Sequence, residues 1–137
     1  MIKPIMTQKF FLKRPSEQAT ADDLQIVRDL VETLEAHRAT CVGMAANMIG
    51  ERKRIIAVLD GAGKVLVMLN PRIVEAEGPF EAEEGCLSLE GTRTARRFKR
   101  IVVAYEDERM RPHEDAFDGF VAQAIQHEVD HCNGVII

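Results

Sequence analysis

Between Arg54 and Asn70, two apolar runs, RIIAVLD and KVLVMLN, flank the turn residues DGAG, and no other stretch limits the fold as strongly. Short runs rich in Ile, Val and Leu around an Asp-Gly turn predict a β-hairpin, because glycine supplies the backbone freedom that a tight reversal needs. Asn70–Pro71 is expected to end the second run, and RIVEAEG can form a third strand. The basic TRTARRFKR predicts a solvent-facing strand, and IVVAYEDE predicts another. The intervening GPFEAEEGCLSLEG reads as loop, since Gly, Pro and acids replace any apolar alternation.

Helical spacing appears on either side of these strands. In TADDLQIVRDLVETLEAHR, Leu24, Val27, Val31 and Leu34 recur along one face, and Leu30 widens the stripe. Thr20 with Asp23 forms a capping-box pattern, and His37 and Arg38 place positive charge where it suits the helix dipole. DAFDGFVAQAIQHEVDHC predicts a second helix with Asp118 as N-cap and Gly134 as stop signal. CVGMAANMIGE, which follows the first helix, is too short for a helix and too irregular for a strand. The expected class is α+β: a mostly antiparallel sheet packed on a C-terminal helix, with an N-terminal helix. A length of 137 residues suits a single domain spanning 1–137.

A net charge of −4 argues against a nucleic-acid coat, so no DNA partner is expected. No apolar run approaches the roughly 18 residues of a membrane span, so no membrane partner is expected either. Three cysteines make an odd set that fits a reducing cytosol better than a disulfide framework. The N-terminal MIKPIMTQKFFLKRP is basic before Glu17, yet it lacks the apolar centre and cleavage site of a processing signal and reads as part of the fold.

AIQHEVDHCNG carries the chemistry. His127 and His131 lie four residues apart and therefore stack on one helix face, where two imidazoles can hold one divalent ion. Glu128, rotated by about 100° from His127, stands beside that ion as a candidate base. A catalytic site needs a third protein ligand and an open position. Only CNGVII follows His131, and Cys132 points away around the helix, as a small buried filler does. Cys86, in EEGCLSLEG, is the best upstream candidate, since a thiolate binds zinc or ferrous iron strongly.

With these residues in place, the chain resembles the peptide deformylases over nearly its whole length. That family carries a G-h-G-h-A-A-x-Q loop, an E-G-C-h-S loop and a Q-H-E-h-D-H helix, in this order. Glu84-Gly85-Cys86-Leu87-Ser88 and Gln126-His127-Glu128-Val129-Asp130-His131 match the last two in full. Cys41-Val42-Gly43-Met44-Ala45-Ala46-Asn47-Met48 aligns with the first, with Cys41 for the leading glycine and Met48 for the closing glutamine. In the family that glutamine donates to the substrate oxygen, which a thioether cannot do.

The resemblance implies hydrolysis of the formyl group from N-formylmethionine on nascent chains. Cys86, His127 and His131 would hold the ion, with ferrous iron the working choice and zinc or nickel alternatives. Two neutral histidines and one thiolate leave a divalent ion net positive, which lowers the pKa of a coordinated water towards neutrality. Glu128 would move the proton, and the backbone N–H of Leu87 would support the developing oxyanion. Asn47 would be a further donor only if its loop rotated, since neighbouring side chains in an extended loop point apart. Gly43 would pair by backbone with an extended peptide, while Val42, Met44, Met48, Ile125 and Leu87 would line the pocket for its Met side chain. Asp130 is expected to orient the helix or pair with Arg96 or Arg97, and Gln126 to support packing. The substrate implies a bacterial or organellar setting close to the ribosome, and the lack of a presequence favours a bacterial cytoplasm. Two further readings stay open: an enzyme of this fold with another formyl or amide substrate, and a weakly catalytic protein that binds metal and peptide.

Overall fold

Two apolar strands at the centre of one sheet organise the molecule. In the computed structural model, which describes residues 1–137, the chain order is α1 (Lys9–Leu12), α2 (Leu24–Ala36), β1 (Gly43–Ala45), β2 (Ile55–Leu59), β3 (Val65–Cys86), β4 (Leu89–Glu106), β5 (Pro112–Asp118) and α3 (Gly119–Cys132). All five strands are antiparallel and lie in sequence order, β1-β2-β3-β4-β5. DGAG forms the expected reversal: Asp60 Oδ1 accepts from the N–H groups of Ala62 and Lys64 at 2.8 and 2.9 Å, and Gly63 takes φ +79°.

β2 and the first five residues of β3, Val65–Leu69, are apolar at every position because both faces are covered there. Ile55 and Ala57 of β2, with Val67 and Leu69 of β3, pack beneath Val27, Leu30 and Leu34 of α2. The alternate residues Ile56, Val58 and Met68 face the other way, against Ala122, Ile125, Val129 and Cys132 of α3. Thr20 caps the entry to α2 as expected. Its backbone N–H donates to Asp23 Oδ2 at 2.8 Å, and its hydroxyl accepts from Asp22 N–H at 3.2 Å.

Several boundaries differ from the sequence expectation. GPFEAEEGC is strand, continuing β3 to Cys86, and only Leu87 and Ser88 turn the chain into β4. This arm lacks an apolar alternation because it stands largely in solvent. Its register sets opposite charges across from one another, with Glu77 opposite Arg100, Glu81 opposite Arg96 and Glu84 opposite Arg93, and of these Glu77 and Arg100 form an ion pair at 3.5 Å. RIVEAEG is part of the same β3, and TRTARRFKR joins IVVAYEDE in β4. Asn70–Pro71 does not end the strand. Asn70 takes φ +54° and the ladder slips between Leu69 and Arg72, which absorbs the proline as a bulge.

DAFD belongs to β5, so α3 starts at Gly119; Asp118 occupies the N-cap position, but its side chain makes no capping bond. CVGMAANMIGE, expected to form no strand, does hold a short one, β1, followed by a 3-10 turn over Ala46–Ile49. At the far end Gly134, at φ +76°, closes α3 as its stop signal foretold. Its N–H reaches His131 O at 3.0 Å and the Val135 N–H reaches Asp130 O at 2.9 Å, the paired bonds of a Schellman ending. No helix is long and apolar enough to cross a membrane.

Candidate active site

Along α3, Phe120, Gln123, Ala124, His127 and Glu128 share one face, and together they floor a cleft of about 510 Å³. The opposite wall comes from the end of the β3–β4 arm, with Glu84, Cys86 and Leu87, and from Cys41, Val42, Gly43 and Met48 beside β1.

Three ligand atoms converge at one end. His127 Nε2 and His131 Nε2 lie 3.1 Å apart, and Cys86 Sγ lies 3.4 Å from His131 Nε2. The donor atoms of all three residues fall within 4.8 Å of one another. A tetrahedral ion with nitrogen ligands at about 2.0–2.1 Å and sulfur at about 2.3 Å would space them at about 3.3 and 3.6 Å. These residues fit a metal. Cys41 stands outside the group: its thiol donates to Gly43 O at 2.9 Å, and burial pushes its pKa up to about 11. Three protein ligands leave one position of a tetrahedral ion for water or substrate.

The electrostatics favour positive charge at this place. Burial alone would lower His127, but hydrogen bonds to Cys86 and Glu84 and the nearby Glu128 outweigh it and hold the ring up at about 10. Burial and the charge on His127 push His131 down to about 3. Without a metal the positive charge therefore sits on His127 and His131 is neutral, and a divalent ion would take the place of the proton between the two facing nitrogens.

Behind the ligands sits a buried carboxylate whose role the sequence reading missed. Glu84 Oε1 pairs with His127 Nδ1 at 2.9 Å and accepts from Arg97 Nη2 at 2.7 Å; its Oε2 accepts from Arg97 Nε at 2.9 Å and from Gln123 Nε2 at 2.8 Å. Against the cost of burial, these partners hold the Glu84 carboxyl down at about 2. Glu84 thereby fixes the tautomer of His127, leaving Nε2 free to ligate. Arg97 also reaches Asp130 Oδ2 at 2.7 Å, which selects Arg97 over Arg96 as the partner of that aspartate. A signal was present: Glu84 lies two residues before Cys86, so in a strand both face the same side.

Glu128 is 4% exposed, and its Oε1 has no hydrogen-bond partner. Burial raises its pKa to about 7, with His127 opposing the shift and Glu84 adding to it. The carboxylate lies against Gly43, where a Cβ atom would stand 3.0 Å from Oε2.

Of the expected pocket residues, Val42, Gly43, Met48 and Leu87 line the cleft. Met44 and Ile125 do not: Met44 packs in the core under α2, and Ile125 in the core between α3 and the sheet. Asn47 is turned away as well, its amide donating to His131 O at 2.9 Å. Gln126 bridges α3 to β4 through both backbone groups of Phe98, each at 2.8 Å. Phe120 and Gln123 line the cleft without having been expected there.

Comparison with known proteins agrees with this geometry. A family profile described as polypeptide deformylase matches residues 3–137. The peptide deformylase of Clostridium beijerinckii is 47% identical over the full length of both chains. That of Halothermothrix orenii is 36% identical, over 97% of this chain and 84% of its own. Among solved structures, a peptide deformylase from Legionella pneumophila superposes with TM-score 0.89 at 32% identity, covering 99% of this chain and 83% of that one. A Met-Ala-Ser-bound class I type b peptide deformylase from Acinetobacter baumannii gives 0.89 at 28% identity, covering 99% and 97%. With ligand geometry, fold and full-length sequence in agreement, the chain belongs to the polypeptide deformylase family.

Proposed function

We propose that this protein hydrolyses the formamide C–N bond of N-formylmethionyl peptides, releasing formate and a free N-terminal amine. The observation that carries the reading is the convergence of Cys86, His127 and His131 on one side of a cleft, with the buried Glu128 carboxylate beside them. A resident divalent ion would supply Lewis-acid activation of water and of the formyl oxygen. A thiolate and two imidazoles suit ferrous iron, zinc and nickel, and ferrous iron is our choice for the working ion.

The chain's own residues divide the remaining work. Glu128 accepts the proton that water loses as its oxygen bonds to the formyl carbon, then returns it to nitrogen as the C–N bond breaks. The Leu87 N–H, at the turn beside Cys86, donates to the formyl oxygen as charge grows there. Gly43, on the open edge of the sheet, pairs with the peptide backbone, and the methionine side chain enters the cleft past Val42 and Phe120. The Acinetobacter relative holding Met-Ala-Ser supports a short peptide as occupant. The protein acts on formylated nascent chains near the ribosome, in a bacterial cytoplasm.

Met48 is the distinctive feature. Its sulfur accepts from Ala45 N–H at 3.5 Å and offers the formyl oxygen no donor. Loss of one preorganised donor costs about 10²–10³ in rate, so the enzyme is slower than a glutamine-bearing relative. The same feature favours a second reading, a different small formamide as substrate.

Metal-loaded protein assayed on formyl-Met-Ala-Ser and on simple formamides separates these. Glu128→Ala should lower kcat on the peptide by about 10²–10⁴-fold with metal content kept, and Met48→Gln should raise it. Turnover of a simple formamide in preference to the peptide would select the second reading. No turnover by either wild type or Met48→Gln would leave only a metal- and peptide-binding role.

A further inference from the structure

β1 forms the open edge of the sheet. It pairs with β2 through Met44 opposite Ala57, and the Val42 carbonyl accepts from Leu59 N–H at 2.8 Å. Hydrogen bonding alternates along an antiparallel pair, so the backbone groups of Gly43 and Ala45 point away from β2. Sulfur occupies both sides of that edge. Cys41 Sγ donates to Gly43 O at 2.9 Å, and Ala45 N–H donates to Met48 Sδ at 3.5 Å. Cys41 and Met48 are also the two positions at which the first motif departs from the pattern G-h-G-h-A-A-x-Q.

This edge borders the reacting centre. Gly43 packs on Glu128, and Cys41, Gly43, Met48 and Glu128 line one cleft. Glu128, 4% exposed with an unpartnered Oε1, marks that cleft as built for an occupant. An unpaired strand edge invites pairing with other chains. Thiol and thioether are weak hydrogen-bonding groups, so they cover the edge with partners that a peptide amide can replace.

We propose that Cys41 is a positioning residue: its thiol holds the Gly43 carbonyl in the free enzyme and is displaced by an N–H of the incoming peptide, so that it sets peptide affinity. This rests on the deformylase reading for the identity of the peptide. Displacement exchanges an S–H donor for an amide donor at one carbonyl and requires no change in the rest of the sheet.

The test uses metal-loaded wild type, Cys41→Ala and Cys41→Ser with formyl-Met-Ala-Ser. Freeing the carbonyl in Cys41→Ala should lower KM by about two- to tenfold, and the stronger hydroxyl donor of Cys41→Ser should raise it. In both variants KM should move more than kcat. An infrared S–H band of wild type, assigned by its loss in Cys41→Ser, should shift towards a free thiol when Met-Ala-Ser binds. An unchanged or raised KM in Cys41→Ala, or a band that ignores bound peptide, would overturn the proposal. If Cys41→Ala does not fold, the wild-type band decides. If wild type turns over no formyl peptide, the deformylase reading fails, while the band still reports whether peptide displaces the thiol.

Discussion

A methyl group added at Gly43 would lie 3.0 Å from Glu128 Oε2 and 3.1 Å from Val58 Cγ1, tighter than nine in ten real Cβ contacts. Val58 is fixed in the core, so the carboxylate must yield. Misplacing a reacting group by about 1 Å costs about 10²-fold in rate. Gly43→Ala, which displaces the carboxylate by less than that, should therefore lower kcat by less than about 10²-fold while the circular dichroism and melting of the protein stay close to wild type, which steady-state kinetics and a thermal scan will show. At this scale the helix-borne residues were the most legible. The helical period alone places His127 above His131 with Glu128 alongside. Side chains around β1 were not, because both faces of this short strand are covered and an apolar residue such as Met44 can serve the core as well as a cleft. Asn47 and Met48 point apart as expected of neighbours, Met48 into the cleft and Asn47 to His131 O, although the segment is a 3-10 turn and not an extended loop.

At the scale of elements, the β3–β4 arm explains both a missed strand and a missed residue. Its strands carry opposite charge, so the signal lay in pairing GPFEAEEG with TRTARRFKR and not in the hydrophobicity of either. Once that hairpin is drawn, Glu84 falls beside Cys86 and turns towards α3, where Arg97 and His127 meet it. Glu84 and Arg97 side chains are 7% and 5% exposed, so removing one leaves the other buried and uncompensated. Glu84→Ala should cost about 3–5 kcal/mol in stability and about 10–100-fold in metal affinity. Denaturant titration of the metal-free protein and chelator competition measure the two effects separately. A Glu84→Ala protein with wild-type affinity for metal would show that His127 needs no partner at Nδ1.

Across the whole molecule, the sheet has a helix on either face, and the proposed metal ligands come from two of these layers: Cys86 from the tip of the long arm, and the histidines from α3. The continuous apolar runs of β2 and of Val65–Leu69 in β3 predict a hairpin; that the sheet centre is covered on both faces is plain only in the structure, where α2 and α3 supply the covers. The approach of the arm to α3 was legible through Cys86 and through the pairing of Asp130 with an arginine of the arm, but not through Glu84 and Gln123, polar residues that look ordinary one at a time. The account depends on one sulfur and two imidazole nitrogens around a single ion with a position left open. X-ray absorption at the metal edge of the loaded protein tests this most directly. The expected result is one sulfur at about 2.3 Å and two imidazole nitrogens at about 2.0–2.1 Å, plus one lighter ligand that exchanges, with the sulfur lost in Cys86→Ser. Two sulfurs around the ion, or a sulfur that survives Cys86→Ser, would contradict the account.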